Sequence, residues 1–330
     1  MMNSIFTITM LFLLIAQGGP TNVSQSGEAK RKQQRDDDNS LRVARIVNGQ
    51  TWYPSVFKGR PGTLSRISAN GTAQDYFLTV FPDPFSPLPR WQVNGEYFYA
   101  VSLAPGSDRM GYHLMRMRLA DLKKFQTQEE MRKAHAFFTW PPVDTLDLLP
   151  LNRTYAAQHD LETITRWDEP VYYDFTLDEQ EKLTLVIITK GKLDVWELES
   201  RDYWMSASAS SSEDKDPSKL WRRTGPAPAP FSARFIADNQ GGSLSLTTET
   251  GEVWQSDDRT SFSKMNAAVT DKADGDSLLI KDTDKRQIWL GRTSENEALT
   301  GENLHLVKGE NGAPSDRVRT AVQKIADRKR

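Results

Sequence analysis

Leu185-Val-Ile-Ile-Thr-Lys-Gly-Lys-Leu-Asp-Val-Trp196 is the stretch on which the fold turns. Apolar, β-branched residues run up to Thr189, and Lys190-Gly191-Lys192 supplies the turn. A second apolar run then continues to Leu198. Two strand-like runs separated so closely around a Gly predict an antiparallel hairpin over 183–198 with a tight turn. The same grammar extends outward from it. Tyr97 to Leu103 and Tyr112 to Leu119 are joined by the turn-rich Ala104 to Gly111, which predicts a second hairpin. From Trp52 to about Lys308, short apolar segments alternate with Gly, Asp, Asn and Pro, the signature of an all-β protein.

The layout of 185–196 recurs. Leu244 to Trp254 and Leu279 to Trp289 are again an apolar strand, a turn, and a strand ending in Val-Trp or Ile-Trp. The intervals between these Trp residues are 58 and 35, and the longer one contains the Ser-rich stretch Ser206 to Ser218. Without that stretch both approach the roughly 40–50 residues of a propeller blade. The segment 171–295 therefore resembles the blade repeats of β-propellers, in which four-stranded sheets surround a central channel. It lacks Gly-His…Trp-Asp, kelch and Asp-box signatures, so the resemblance names no particular propeller family. The alternative architecture for the same strands is a β-sandwich. On the propeller reading, Trp196, Trp254 and Trp289 are structural, closing equivalent strands and packing between sheets.

Two helices interrupt the strands. Thr127-Gln-Glu-Glu130 reads as a capping box before Met131, Ala134, Phe137 and Phe138, predicting a short helix over 127–138. Ser315, after Pro314, is placed to cap a terminal helix over 315–327. Val318, Ala321, Val322 and Ile325 form one apolar stripe there, with Arg317, Arg319, Lys324 and Arg328 to Arg330 largely opposite. The stripe is expected to dock on the domain, leaving a solvated basic face.

Composition removes several functions. The 42 basic and 44 acidic residues leave a net charge of -2, which provides no global field for nucleic acid or anionic membranes. There is no Cys, so disulfide scaffolds, Cys-ligated zinc, iron–sulfur clusters and thiol nucleophiles are excluded. No P-loop, dinucleotide-binding Gly fingerprint, nucleophile elbow or His-Glu-x-x-His occurs.

The N-terminal region carries an address. Ile5 to Ala16 is uncharged and of h-region length, well short of the roughly 20 apolar residues of a spanning helix. Ala16-Gln17-Gly18 then offers a cut before Gly19, so 1–18 is expected to be a signal peptide and the protein secreted, periplasmic or in the cell envelope. No other segment approaches spanning length. Residues 19–44 form a polar leader in which Lys30-Arg31-Lys32 and Arg35 meet Asp36 to Asp38. The expected organisation is then a β-propeller-like domain over 45–312, with a mobile insertion over 205–219, and a basic tail over 313–330. Asn22, Asn70 and Asn152 sit in N-glycosylation triplets whose meaning depends on the host. Arg45-Ile-Val-Asn-Gly49 is similar to the activation site of chymotrypsin-like zymogens. The likeness covers five residues, and the nucleophilic Ser loop, Ala-Ala-His and disulfides are absent, so this stretch is expected to be the strand that enters the domain.

Two stretches carry candidate chemistry. Asp271, Asp274 and Asp276, followed by Asp282 and Asp284, form the densest acidic cluster of the folded part. Such oxygens suit a hard cation such as calcium, yet the EF-hand order is missing and the commoner meaning is a turn entering a strand. No cofactor is therefore expected, with calcium the one ion the cluster would suit. Trp167-Asp168-Glu169 and Tyr172-Tyr173-Asp174 place aromatics beside carboxylates, as carbohydrate sites do. The function expected is an exported, non-catalytic binding or scaffold protein with a protein or glycan ligand. The alternative is a propeller-type hydrolase or lactonase with carboxylates, and optionally calcium, at the channel mouth.

Overall fold

The computed structural model describes residues 42–55, 63–77, 90–105, 110–125, 130, 144–158, 171–178, 180–198, 220–266, 277–292 and 299–327. The signal segment, most of the leader, Asn22, the 205–219 insertion and Asp271, Asp274 and Asp276 lie outside them. So does the expected 127–138 helix apart from Glu130, which is helical.

The described residues form twenty strands. β1 (Arg42–Val47), β2 (Gln50–Ser55), β3 (Thr63–Ile67) and β4 (Ala73–Phe77) make the first blade, with the two-residue β8 (Lys124–Phe125) added beyond β4. The second blade is β5 (Trp91–Asn94), β6 (Tyr97–Pro105), β7 (Met110–Arg118) and β9 (Asp144–Asp147). The third is β10 (Tyr172–Leu177), β11 (Leu183–Thr189), β12 (Lys192–Leu198) and β13 (Trp221–Pro228). The fourth is β14 (Phe235–Gln240), β15 (Ser243–Thr248), β16 (Val253–Ser256) and β17 (Ser263–Asn266). β18 (Ser277–Asp282), β19 (Gln287–Arg292) and β20 (Leu304–Lys308) make the fifth. Within each blade the strands pair antiparallel, as successive hairpins require.

Apolar faces close these sheets into a ring. Trp52 and Leu64 of the first blade pack on Trp91 and Phe98 of the second. Tyr99 and Leu114 of the second pack on Phe175 and Leu185 of the third. Val186 and Val195 meet Phe235 and Leu246 of the fourth, whose Ile236 and Val253 meet Leu279 and Ile288 of the fifth. The last contact, between fifth and first blades, is of another kind. β1 pairs parallel with β18, from Arg42↔Leu278 to Ile46↔Asp282, so the two sheets are continuous along their innermost strands. The chain is a β-propeller, and the sandwich alternative does not hold.

Because the sheets splay from that inner seam, a wedge opens between the two blades. α2 (Asp316–Asp327) fills it. Its Val318, Ala321, Val322 and Ile325 are almost wholly buried, Val318, Val322 and Ile325 lying among Ile46, Ile67, Ile280 and Trp289. This is the terminal helix and the stripe read from the sequence, docked as expected. Its start differs in one respect, since the Ser315 hydroxyl is buried without a partner and does not cap the helix. A second α-helix among the described residues, α1 (Leu149–Gln158), has no amphipathic signature in the sequence and is set by Leu151 entering the core between the second and third blades.

The hairpins over 97–119 and 183–198 are present as β6–β7 and β11–β12. Arg45 to Val47 enters the domain as β1, and Asn48-Gly49, with φ of 51° and 73°, is the tight turn into β2. The threefold repeat needs correction. Leu185 to Trp196 and Leu244 to Trp254 are the second and third strands of their blades, whereas Leu279 to Trp289 spans the first and second strands of the fifth. An apolar strand, a turn and a Trp-ended strand describe either hairpin of a blade, so pattern alone did not reveal the slip.

Candidate functional site at the propeller axis

The innermost strands β1, β5, β10, β14 and β18 surround the axis, and residues on or beside each one tie it to its neighbour. Arg45 Nε donates to the Trp91 carbonyl at 3.1 Å, joining β1 to β5. The Gln92 side-chain amide donates to the Leu177 carbonyl at 3.4 Å and accepts from the Leu177 N–H at 3.2 Å, joining β5 to β10. Asp174 accepts the Ala237 N–H at 2.7 Å, and Thr176 Oγ1 accepts the Asn239 N–H at 3.3 Å, joining β10 to β14. Lys281 donates to Asp238, joining β14 to β18. The β18–β1 ladder completes the circuit.

Strand alternation selects these side chains. Tyr173, Phe175 and Leu177 face the second blade, so Asp174 faces the fourth. Phe235 and Ala237 face the third blade, so Asp238 faces the fifth, where Leu279 and Lys281 share the opposing face. Arg45, Asp174, Asp238 and Lys281, four of the six charged residues on the innermost strands, are at most 4% exposed. Arg90, half-buried just before β5, adds a guanidinium over the Tyr173 ring, with NH1 donating to the Phe235 carbonyl at 3.3 Å. Lys308 reaches Ser245 Oγ at 2.6 Å and lies 3.7 Å from Asp238.

The electrostatics follow from burial against pairing. Burial lowers the affinity of Lys281 and Arg45 for their protons, opposed by the attraction of Asp238 for both and of Asp174 for Arg45. Burial also works against an ionised Asp238, yet Lys281, Lys308 and Arg45 together hold its carboxyl below the usual range. Asp174 has no such contact pair, and burial pushes it up despite Arg90, Arg45 and the backbone N–H groups. The axis thus holds two carboxylates among four cations.

A second charged cluster lies near the joint of the third and fourth blades. Glu197, 1% exposed, accepts from Lys182 at 3.0 Å and from Arg222, with Arg259 of the fourth blade 2.7 Å away. Burial opposes its charge, but these three cations hold its carboxyl below the ordinary range.

The residues singled out in the sequence separate. Asp174 belongs to the axis; Tyr173 is buried beside Tyr112 in the interface of the second and third blades. Trp167, Asp168, Glu169, Asp271, Asp274 and Asp276 fall outside the described residues, in the connections that enter β10 and β18. Asp284 is a structural clamp, accepting the Asn48 and Gly49 N–H groups at 2.8 and 2.7 Å and Arg317 of α2 at 3.3 Å. Among the described residues no group of three or more His, Asp or Glu side chains is placed to hold a metal ion. Asn152 is committed to structure through bonds to Tyr112 and Asp147, while Asn70 is exposed in the β3–β4 turn. The sequence reading missed Arg45, Arg90, Asp238 and Lys281. A signal was present, because Arg45, Asp238 and Lys281 each directly follow a run of two or three apolar strand residues.

The sequence matches no protein-family profile and no curated protein. Similar solved structures include an engineered family-43 glycoside hydrolase, with 10% identity over 76% of this chain and 48% of that one, at a TM-score of 0.38. The sialidase of Trypanosoma rangeli gives 11% identity, 81% and 45% coverage, and a TM-score of 0.39. The Aleuria aurantia lectin gives 8% identity, 84% and 97% coverage, and a TM-score of 0.36. The chain thus spans about half the length of the hydrolase and the sialidase. The fold assignment rests on this chain's own ladders and inter-blade cores. No helix among the described residues is long and apolar enough to cross a membrane.

Proposed function

We propose that this chain is an exported, non-catalytic binding protein built on the propeller. The observation that carries this reading is the commitment of its interior carboxylates. Asp238 is taken by two lysines and Glu197 by three cations, while Asp174, which accepts the Ala237 N–H and has no cation in contact, is the interior carboxyl that the activity test must exclude. General acid–base work requires a carboxyl within reach of a substrate proton and able to exchange it. A carboxylate locked between cations holds structure and leaves recognition to the groups around it. The test pairs an array of neutral and acidic oligosaccharides with a panel of chromogenic glycosides and lactones, using the purified chain. Binding without turnover is expected. Turnover that disappears in a folded Asp174→Asn or Asp238→Asn variant would establish the hydrolase instead. Mass spectrometry of the native N-terminus addresses export, with a mature start near Gly19 expected.

A further inference from the structure

Arg45 is, with Lys281, the best-buried cation of the axis, and the less satisfied of the two. At 3% exposure its guanidinium donates one hydrogen bond, from Nε to Trp91, and its face rests 5.4 Å from the centre of the Trp91 ring. Among the described residues its two terminal amino groups have no hydrogen-bond partner, and no carboxylate lies within salt-bridge distance. Among the described residues Arg90 is in a similar position, with a buried Nε that has no hydrogen-bond partner and no carboxylate within ion-pair distance. Lys281 and Lys308 share the single carboxylate of Asp238. Burying a guanidinium with most of its donors unmet is costly, and the one carboxyl whose charge both arginines feel, Asp174, makes no ion-pair contact with either and is pushed by burial toward its neutral form, so it does not offset the two.

We propose that the axis binds a small oxyanion, a carboxylate or phosphate group, between Arg45 and Arg90. The planar fork of Arg45 suits two oxygens of such a group. Arg90 stands at the end of the axis where the innermost strands begin, because it precedes β5 and reaches the carbonyl of Phe235, the first residue of β14. Being half-buried, it is the group an entering anion meets first. The Trp91 and Tyr173 rings lie 5.4 and 5.8 Å from the two guanidinium carbons and help to hold them in place. This site holds whether or not the protein turns over a ligand, so its test is separate from the activity assay.

The full-length chain is titrated with inorganic phosphate and, separately, with acetate, at an ionic strength fixed by sodium chloride, and thermal unfolding is followed. A saturable rise in midpoint with either probe is expected, and the probe that saturates first identifies the preferred oxyanion. Arg90→Gln should raise the half-saturating concentration about tenfold or more, as loss of a charge-assisted hydrogen bond does. Arg45→Met should abolish the rise, while Lys264→Gln, which alters a surface cation over Trp254, should leave it intact. Should Arg45→Met fail to fold, Arg90→Gln decides alone. No rise beyond the chloride control, or an equal rise in wild type and Arg90→Gln, overturns the proposal.

Discussion

At the scale of single residues, stability at the axis is a matter of which charges lose their partners. Asp238→Asn leaves Lys281 buried against Lys308 and Arg45, and breaking a buried pair in this way costs about 3–5 kcal/mol. The double variant Asp238→Asn with Lys281→Met removes the stranded cation. Chemical denaturation should find it more stable than the single variant, and additive losses would show that the two groups are not coupled. Asp282 behaves in the opposite sense. It is fully buried at the β18–β1 seam, Oδ1 accepts only the Lys285 N–H, and Oδ2 has no partner. Burial, reinforced by Asp284, raises its pKa despite Arg317 and Lys285. A carboxyl whose folded pKa exceeds its unfolded value contributes stability below the ordinary carboxylate range and loses it as pH rises through the folded value. Asp282→Asn is therefore expected to raise the melting midpoint at pH 7 relative to wild type and to flatten that part of the pH profile.

At the scale of elements, the three Trp residues read as equivalent separate into two environments. Trp289 is 2% exposed inside the seam core, and Trp289→Ala should cost about 3–5 kcal/mol through lost burial and a cavity. Trp196 and Trp254 are only partly buried, each on the third strand of its blade and each covered by a cation of the fourth. Arg223 lies over Trp196 while bonding Asp194, and Lys264 lies over Trp254 while bonding Glu252. Trp196→Ala should accordingly cost distinctly less than Trp289→Ala in the same denaturation experiment. Equal losses would mean that the cation-covered face is as well packed as the seam. The turn β1–β2 shows how a local motif acquires a distant role. Asn48-Gly49 needs positive φ at both positions, and the N–H groups it presents are taken by Asp284 across the seam.

At the scale of the whole molecule, ring closure depends on two devices, the parallel β18–β1 ladder and the α2 wedge. Removing residues 316–330 should uncover Ile46, Ile67, Ile280 and Trp289, lower the unfolding midpoint and increase binding of a hydrophobic dye. An unchanged midpoint would show that the ladder alone closes the ring. The amino-acid sequence by itself determined the all-β class, the hairpins over 97–119 and 183–198 and the apolar stripe of α2, because these follow from periodicity and turn chemistry over neighbouring residues. It also pointed to the propeller through the spacing of similar hairpins, while placing the third hairpin one strand out of phase. Only the tertiary structure decided the closure of the ring and the axial site. Arg45, Arg90, Asp174, Asp238 and Lys281 are separated by tens of residues and meet because five innermost strands converge, and a charge within a strand shows nothing of its partners until the blades are packed.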